Sequence, residues 1–357
     1  MTLLPATTSP LAADEARASF DAILDGHCAP DDIARFLTDM AVRDESAAEI
    51  AAAVQAMRAR MIPVTAPQGA IDVCGTGGDG AHSLNISTAV AIVVAACEVP
   101  VAKHGNRAAS SKAGAADTLE ALGLNLDRAS EHAEATLADL GICFLFAQKH
   151  HPALAPLGPI RKAIGRRTVF NLTGPLANPA GVKRQLIGIA RPDFLPVVAE
   201  AVAQLDYEKV MLVSGDEPLD EISVCGPSTV LVVDGDTYAV CAEPVEALSF
   251  ASAEEKDGPS TSSGQSGRMR VVPEDLGLPR HTPDALRGGD AAYNADALRR
   301  LLAGETGAYR DAVLLNAAAA LMVAGHAEDW RAGMEEAAEA IDKGLAKALL
   351  DCWIAYK

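Results

Sequence analysis

Apolar residues recur at helical spacing through "ADEARASFDAILDG" and "PDDIARFLTDMAVR", and residues 14 to 61 read as helices throughout. Pro30 followed by Asp31 and Asp32 makes a helix start, and "DESAAEIAAAVQAMRARM" opens with acids and ends with bases, as the helix dipole prefers. "IPVTAPQG" breaks the pattern and reads as a hinge or boundary. From Ile71 short apolar runs, "AIDVCG", "VPVAKHG", "GICFLFA" and "KVMLVSG", alternate with helical stretches, "STAVAIVVAAC", "SKAGAADTLEALG" and "PDFLPVVAEAVAQLD". Such alternation predicts an α/β sheet covered on both faces, with ligand loops at the carboxyl ends of its strands. "NADALRRLLAGE", "YRDAVLLNAAAALMVAG" and "DWRAGMEEAAEAIDKGLAKALLDCW" read as helices packed back on that sheet.

One segment does not fit. "AEPVEALSFASAEEKDGPSTSSGQSGR", residues 242–268, is rich in Ser, Gly, Pro and Glu and buries little apolar surface, so it reads as an exposed insertion. A functional lid is the alternative.

Composition narrows the function classes. The chain has 357 residues and a formal net charge of -18, which disfavours non-specific nucleic-acid binding while leaving room for a local basic pocket. The seven cysteines, at 28, 74, 97, 143, 225, 241 and 352, form no C-x-x-C pair, against a disulfide framework or structural zinc site and in favour of reduced, buried thiols. No signal peptide and no membrane span is evident, so the expected location is the cytoplasm, with no membrane partner.

The candidate chemistry begins at "IDVCGTGGDGAHSLNIST", where glycines at 75, 77, 78 and 80 follow a strand. Glycine lets peptide N–H groups approach an anion closely and adopt positive φ. A tight turn alone needs fewer glycines than this. A dinucleotide site would start its helix inside the motif and end the next strand in an acid, whereas "AHSLN" intervenes and the next strand ends in Lys103. A phosphorylated sugar fits better: Asn85, Ser87 and Thr88 precede an apolar helix, bringing an amide, hydroxyls and helix N–H groups to one spot.

One βα unit later, "KHGNRAASSKAG" carries Lys103, Arg107 and Lys112 beside Ser110 and Ser111, a polyanion site or a solvated basic turn. After the strand "KVMLVSG" come Asp216, Glu217, Asp220 and Glu221, either an acidic surface loop or carboxylates for Mg²⁺ beside phosphate. "HHPALAPLGPIRKAIGRRTVFNLTGPLANPAG" reads as a long crossover with His150, His151, Arg161, Arg166 and Arg167. Zinc is a weak reading of its adjacent histidines. An Arg could fork onto a substrate carboxylate or tie two domains together.

"GTGGDG", "NIST", "KHGNRAASSKAGAADTLEALG", the crossover motif and "LDEIS" together resemble the anthranilate phosphoribosyltransferase family of tryptophan biosynthesis, in order, from about residue 14 to the C-terminus. The resemblance implies a small all-helical domain, residues 1–67 joined by part of the 150–185 crossover. It implies a large α/β domain, residues 68–357, with a central, mainly parallel sheet flanked by helices. It implies transfer of 5-phosphoribosyl from phosphoribosyl pyrophosphate to the amine of anthranilate, in a homodimer joined through the helical parts. Carried over, Gly75, Gly78, Asp79, Ser83, Asn85, Ile86, Ser87 and Thr88 would contact phosphoribosyl pyrophosphate. So would Lys103, His104, Gly105, Asn106, Arg107, Ala108, Ala109, Ser110, Ser111 and Ala115. Ser87, Asp220 and Glu221 would hold Mg²⁺, two ions per subunit; Gly75, Asn106 and Arg161 would bind anthranilate, with His104 and His151 lining its path.

Two departures stand out. Ser83 stands where the family often has Thr, and Ala115 where many members have Ser, which removes one possible donor to the phosphates. The chemistry requires pyrophosphate to leave the sugar C1 while an amine is held beside it, so charge stabilisation and positioning carry the catalysis. No residue is assigned as a general base, and His104 at most assists. A pyrimidine nucleoside phosphorylase-like enzyme and a non-catalytic nucleic-acid-binding relative are the alternatives.

Overall fold

The computed structural model describes residues 2–108, 111–217, 219–235 and 267–357. Three helices come first: α1 (Ala13–Leu24), α2 (Pro30–Val42) and α3 (Ala47–Arg58). Ser46 caps α3 in a reciprocal box, its Oγ accepting from the Glu49 N–H at 3.3 Å while Glu49 Oε2 accepts from the Ser46 N–H at 2.9 Å. The fully buried Glu49 carboxylate also takes the Leu11 N–H and the Arg43 guanidinium, so one acid fastens three segments.

The alternating part runs β1 (Ile71–Gly75), α4 (Ile86–Ala96), β2 (Val101–Gly105), α5 (Ala115–Leu122), α6 (Leu126–Glu131), α7 (Ala133–Leu140) and β3 (Ile142–Phe146). A crossover follows, with α8 (Ala147–His150), α9 (Leu157–Ile164) and α10 (Phe170–Leu176). Next come β4 (Arg184–Gly188), α11 (Leu195–Ala203), β5 (Lys209–Gly215), β6 (Ser228–Asp234) and β7 (Arg268–Val271). Four helices close the chain: α12 (Ala291–Leu302), α13 (Ala308–Ala324), α14 (Trp330–Asp342) and α15 (Leu345–Ala355).

The strands form one sheet in the order β3-β2-β1-β4-β5-β6-β7. β1 to β5 pair in parallel, while β6 and β7 run antiparallel. Period-2 alternation sends successive residues of the central strands to opposite faces of the sheet. Ile71, Val73, Leu186, Met211 and Val213 face one core, with Ile92, Leu119, Leu321 and Trp353 from the covering helices. Ile187, Val210 and Leu212 face the other, which continues through Phe170 and Val198 to Phe20, Leu37 and Ile50 of the first three helices. The small helical part therefore rests on the sheet through α10 and α11.

The expected architecture holds: a small helical part and a larger α/β part with a mainly parallel sheet. Three details differ from expectation. β4, β6 and β7 have no counterpart among the expected strands. The crossover, whose prolines and glycines mask its periodicity, is largely short helices. Among the six described cysteines, Cys352 is exposed and Cys225 half-buried, so burial does not extend to all the thiols. The expected 242–268 insertion and Cys241 lie outside the described residues, apart from Gly267 and Arg268 at the start of β7. No helix among the described residues is long and apolar enough to cross a membrane.

Candidate active site

The glycine loop leaves the carboxyl end of β1, and its glycines do different work. Gly77, Gly78 and Gly80 take φ of 66°, 79° and 76°, where a side chain is disfavoured. Gly75 is needed for space: a Cβ there would lie 2.2 Å from Asp220 Oδ2. Its register partner Gly188 is tighter still, at 1.6 Å from the Asp220 carbonyl oxygen. The two glycines form a notch at the ends of β1 and β4 that admits the Asp220 turn. Sequence reasoning misses Gly188, whose only signal is a glycine closing the apolar run "QLIG".

Asp220 Oδ2 accepts from the Gly77 N–H at 2.6 Å, and Glu221 Oε1 accepts from the Ser87 N–H at 3.1 Å. Burial, reinforced by the neighbouring Asp79 charge, pushes the Asp220 carboxyl up to about 7. Burial and then the Asp220 charge hold Glu221 well above the ordinary carboxylate range. Opposite them, Lys103 is 2% exposed, and its Nζ donates to the Val73 carbonyl at 2.7 Å and the Ser87 hydroxyl at 3.4 Å. Ser87 thus stands between a buried cation and a buried acid. The other two acids of the loop turn elsewhere: Asp216 pairs with Arg270, and Glu217 accepts from the Ser223 hydroxyl.

Hard oxygen donors at Asp79, Ser87, Asp220 and Glu221 suit Mg²⁺. Among the described residues no three His, Cys, Asp or Glu groups are arranged to hold an ion alone, so phosphate oxygens and waters would complete the shell. Magnesium, which tends to keep waters and take only one or two carboxylates, fits that description.

The start of α4 departs from expectation. Asn85 does not aim its amide at an open spot: Oδ1 accepts from Asn294 Nδ2 at 2.9 Å and from the Thr118 hydroxyl, and Nδ2 donates to the Ala113 carbonyl at 3.3 Å. Thr88 is 1% exposed inside the helix, its hydroxyl unpartnered among the described residues. Ile86 is the first helical residue, and Ser83 bridges to Arg287.

The basic loop is also divided. Lys103 and His104 lie within β2, Gly105 ends it with a Phe144 ring atom 2.8 Å from where a Cβ would stand, and Ala115 opens α5. Arg107 turns outward to Asp117 and Glu120, so the structure does not gather Arg107 with Lys103. Lys112 is exposed. Asp117, missed in the sequence, accepts the Ala108 and Gly114 N–H groups at 2.9 Å each and fixes the loop. Asn106 Oδ1 accepts the Arg107 N–H at 2.8 Å and Gln148 Nε2 at 3.4 Å, while the Ser111 hydroxyl donates to the Ala113 carbonyl. Ala109 and Ser110 lie outside the described residues.

On the other side of β2, His104 and His151 meet with ring centroids 5.1 Å apart. His104 Nδ1 donates to the Gly174 carbonyl of α10 at 3.1 Å, and both Nε2 atoms are buried without a partner among the described residues. Burial first, and then a neighbouring histidine, lowers His104 to about 3 and His151 to about 4, so both rings are neutral at pH 7. His150 points away, to the Ile62 carbonyl.

The crossover arginines separate cleanly. Arg167 pairs with buried Glu45 at 2.9 Å and Arg166 donates to the Ala41 carbonyl at 3.2 Å, so these two tie the helical part to the crossover. Arg161 has no carboxylate partner among the described residues. Burial alone lowers its pKa, and it rests on Asn171 and beside the Phe170 ring. A half-buried guanidinium with no acid beside it among the described residues has donors that could take an anionic group.

Comparison with known proteins identifies the family. A family model described as "Glycosyl transferase family, a/b domain" matches residues 67–263 and 258–347, and one described as "Glycosyl transferase family, helical bundle domain" matches residues 6–61. The chain is 61% identical over 355 residues to the anthranilate phosphoribosyltransferase of Novosphingobium aromaticivorans, covering 99% of each. Its fold matches the crystal structure of that enzyme from Thermus thermophilus, with a TM-score of 0.85, 37% identity and coverage of 98% of this chain and 96% of that one. The Saccharomyces cerevisiae enzyme, in complex with phosphoribosyl pyrophosphate and Mg, matches with a TM-score of 0.83 and 25% identity, over 99% and 95% of the two chains. These relatives favour the transferase expectation over the phosphorylase and nucleic-acid alternatives. The chain belongs to the anthranilate phosphoribosyltransferase family.

Proposed function

We infer that the chain transfers the 5-phosphoribosyl group of phosphoribosyl pyrophosphate to the amine of anthranilate, as an enzyme of tryptophan biosynthesis. The C1–N bond forms, the bond from C1 to pyrophosphate breaks, and the amine loses a proton. The observation that carries this reading is the convergence of the glycine loop, Lys103 and the Asp220–Glu221 turn at three strand ends.

In this reading the Gly75–Gly80 loop and Ser87 at the start of α4 hold the phosphorylated sugar, together with the backbone of the loop that follows β2 and Lys103 behind it. Lys103 lies behind Ser87, where its charge favours a nearby leaving group. Ser87, Asp220 and Glu221 would hold Mg²⁺, which when bound would supply charge stabilisation to the departing pyrophosphate. Arg161 receives the anthranilate carboxylate, and Asn106 and Gly75 border the amine. His104 and His151 supply neutral walls, and rings that stay uncharged at pH 7 leave the positive charge to Arg161 and Lys103. The proton leaves late, because the arylammonium formed on attack is acidic, so no strong base is needed.

The helical part, residues 1–67 with part of the 150–185 crossover, forms the contact of a cytoplasmic homodimer. Leu3 and Val42, 83% and 64% exposed, support this placement. The test is anthranilate fluorescence with phosphoribosyl pyrophosphate present and Mg²⁺ added or withheld. Metal-dependent loss of the signal is expected, and a folded protein that leaves anthranilate untouched under both conditions overturns the reading.

A further inference from the structure

Arg161 sits in the last turn of α9 without an acid among the described residues, in a chain with 48 acidic residues against 30 Lys and Arg. Its neighbour is instead an amide: Arg161 Nη2 donates to Asn171 Oδ1 at 3.3 Å, with the guanidinium carbon 5.8 Å from the centre of the Phe170 ring. Asn171 is itself held. Its Oδ1 accepts the Thr168 N–H at 3.1 Å, and its own N–H donates to the Thr168 carbonyl at 2.9 Å, which pins the side chain at the start of α10. The same short helix supplies the Gly174 carbonyl that orients His104.

Aspartate would serve the Thr168 turn as well as asparagine, because both accept backbone N–H bonds at helix starts. Beside a guanidinium, aspartate would also form an ion pair. Asparagine here gives up that pair and keeps the direction of the hydrogen bond. We propose that Asn171 is a positioning residue for acceptor specificity: its amide oxygen aims the Arg161 guanidinium while leaving that charge uncompensated for the carboxylate of the aromatic acid. This rests on the assignment of Arg161 to the acceptor carboxylate.

The experiment is steady-state kinetics of Asn171→Asp, Asn171→Ala and Arg161→Ala with two acceptors, anthranilate and 2-aminobenzamide, which keeps the ring and amine but carries a neutral amide. Asn171→Asp places an internal carboxylate on the guanidinium. The anthranilate KM rises about tenfold or more, the size of one charge-assisted hydrogen bond. The KM for phosphoribosyl pyrophosphate and the efficiency with 2-aminobenzamide stay within about twofold of the parent enzyme, by the same reasoning that only the carboxylate contact is lost. Asn171→Ala loses aim without losing charge and gives a smaller rise. A general structural defect would instead depress both acceptors and both substrates alike, and that result overturns the proposal. So does an unchanged anthranilate KM in Asn171→Asp when Arg161→Ala raises it, an outcome that leaves the reading of Arg161 intact. An unchanged KM in Arg161→Ala removes that reading and this inference together. Should Asn171→Asp fail to fold, Asn171→Ala decides: a rise confined to anthranilate supports the proposal, and an equal change for both acceptors overturns it.

Discussion

Asn316 closes both ends of its amide on the backbone of Ile222: Oδ1 accepts the Ile222 N–H at 2.9 Å, and Nδ2 donates to the Ile222 carbonyl at 2.8 Å. Two turns earlier on the same face of α13, the Tyr309 hydroxyl donates to the Asn85 carbonyl at 3.1 Å. One helix thereby fixes the spacing between the turn that carries Asp220 and Glu221 and the start of the helix that carries Ser87.

Replacing Asn316 by Leu leaves two buried backbone groups without partners. The expected loss is about 1–3 kcal/mol for each, read as a lower midpoint in urea unfolding. Tyr309→Phe removes one of two donors to the Asn85 carbonyl, which keeps the Ala89 N–H at 3.2 Å, and costs less. In both variants the apparent affinity for Mg²⁺ falls while the anthranilate KM changes little, because neither residue touches the α9–α10 side of the site.

Gly75→Ala separates space from backbone strain. A methyl group 2.2 Å from Asp220 Oδ2 pushes the carboxylate out of place while the φ at Gly75 remains one that alanine can adopt. A shift of about 1 Å in a positioned group costs on the order of 100-fold in turnover. Stopped assays should show that loss in kcat at saturating Mg²⁺, with a thermal midpoint near that of the parent. Gly77→Ala strains the loop backbone instead and lowers the midpoint.

Binding of Mg²⁺ is expected to release protons. Without metal the Asp220 carboxyl titrates near pH 7 and Glu221 higher than an ordinary carboxylate, so below pH 7 the ion competes with protons for the same oxygens. Apparent Mg²⁺ affinity should therefore rise from pH 6 to pH 8, as calorimetry in buffers of different ionisation enthalpy would show. A flat profile would mean that both acids are already ionised.

The two histidines act on stability in the opposite range. Their folded values of about 3 and 4 lie below the ordinary 6.5, so between pH 6.5 and 4 the unfolded chain binds protons that the folded chain refuses. Stability thus declines as pH falls through that window. Denaturant titrations of His104→Asn, which keeps a donor for the Gly174 carbonyl, should show a shallower decline. Because the imidazole is neutral from pH 6 to 8, the same variant should leave no missing ionisation in the pH profile of kcat.

What could be read from the sequence was the part written in neighbouring residues. The first three helices, the strands ending at Gly75, Gly105, Phe146 and Gly215, and the glycine and acid loops all follow from period and punctuation. Contacts made across the fold were hidden. Asn316, Asn294 and Tyr309 sit in helices whose pattern announces only burial, yet they hold Ile222 and Asn85 from 94, 209 and 224 positions away. The sense of Lys103 was also hidden, since a charge counted with Arg107 in one loop belongs to the inside of a strand and points the other way. Among the crossover arginines, composition could not tell the ties to the helical part from Arg161, which meets no acid among the described residues. That distinction depends on where Glu45 and Ala41 end up.

The notch formed by Gly75 and Gly188 makes strand pairing itself a functional variable. If β4 slipped by one residue against β1, Ile187 or Ile189 would stand where Gly188 admits the Asp220 backbone. The acid turn would be shut out although every hydrogen bond of the ladder could re-form. Mutations far from any substrate that loosen this alignment should therefore appear first as weakened metal use in a protein that still looks folded. For this enzyme, one misaligned step between two central strands amounts to the loss of two carboxylates.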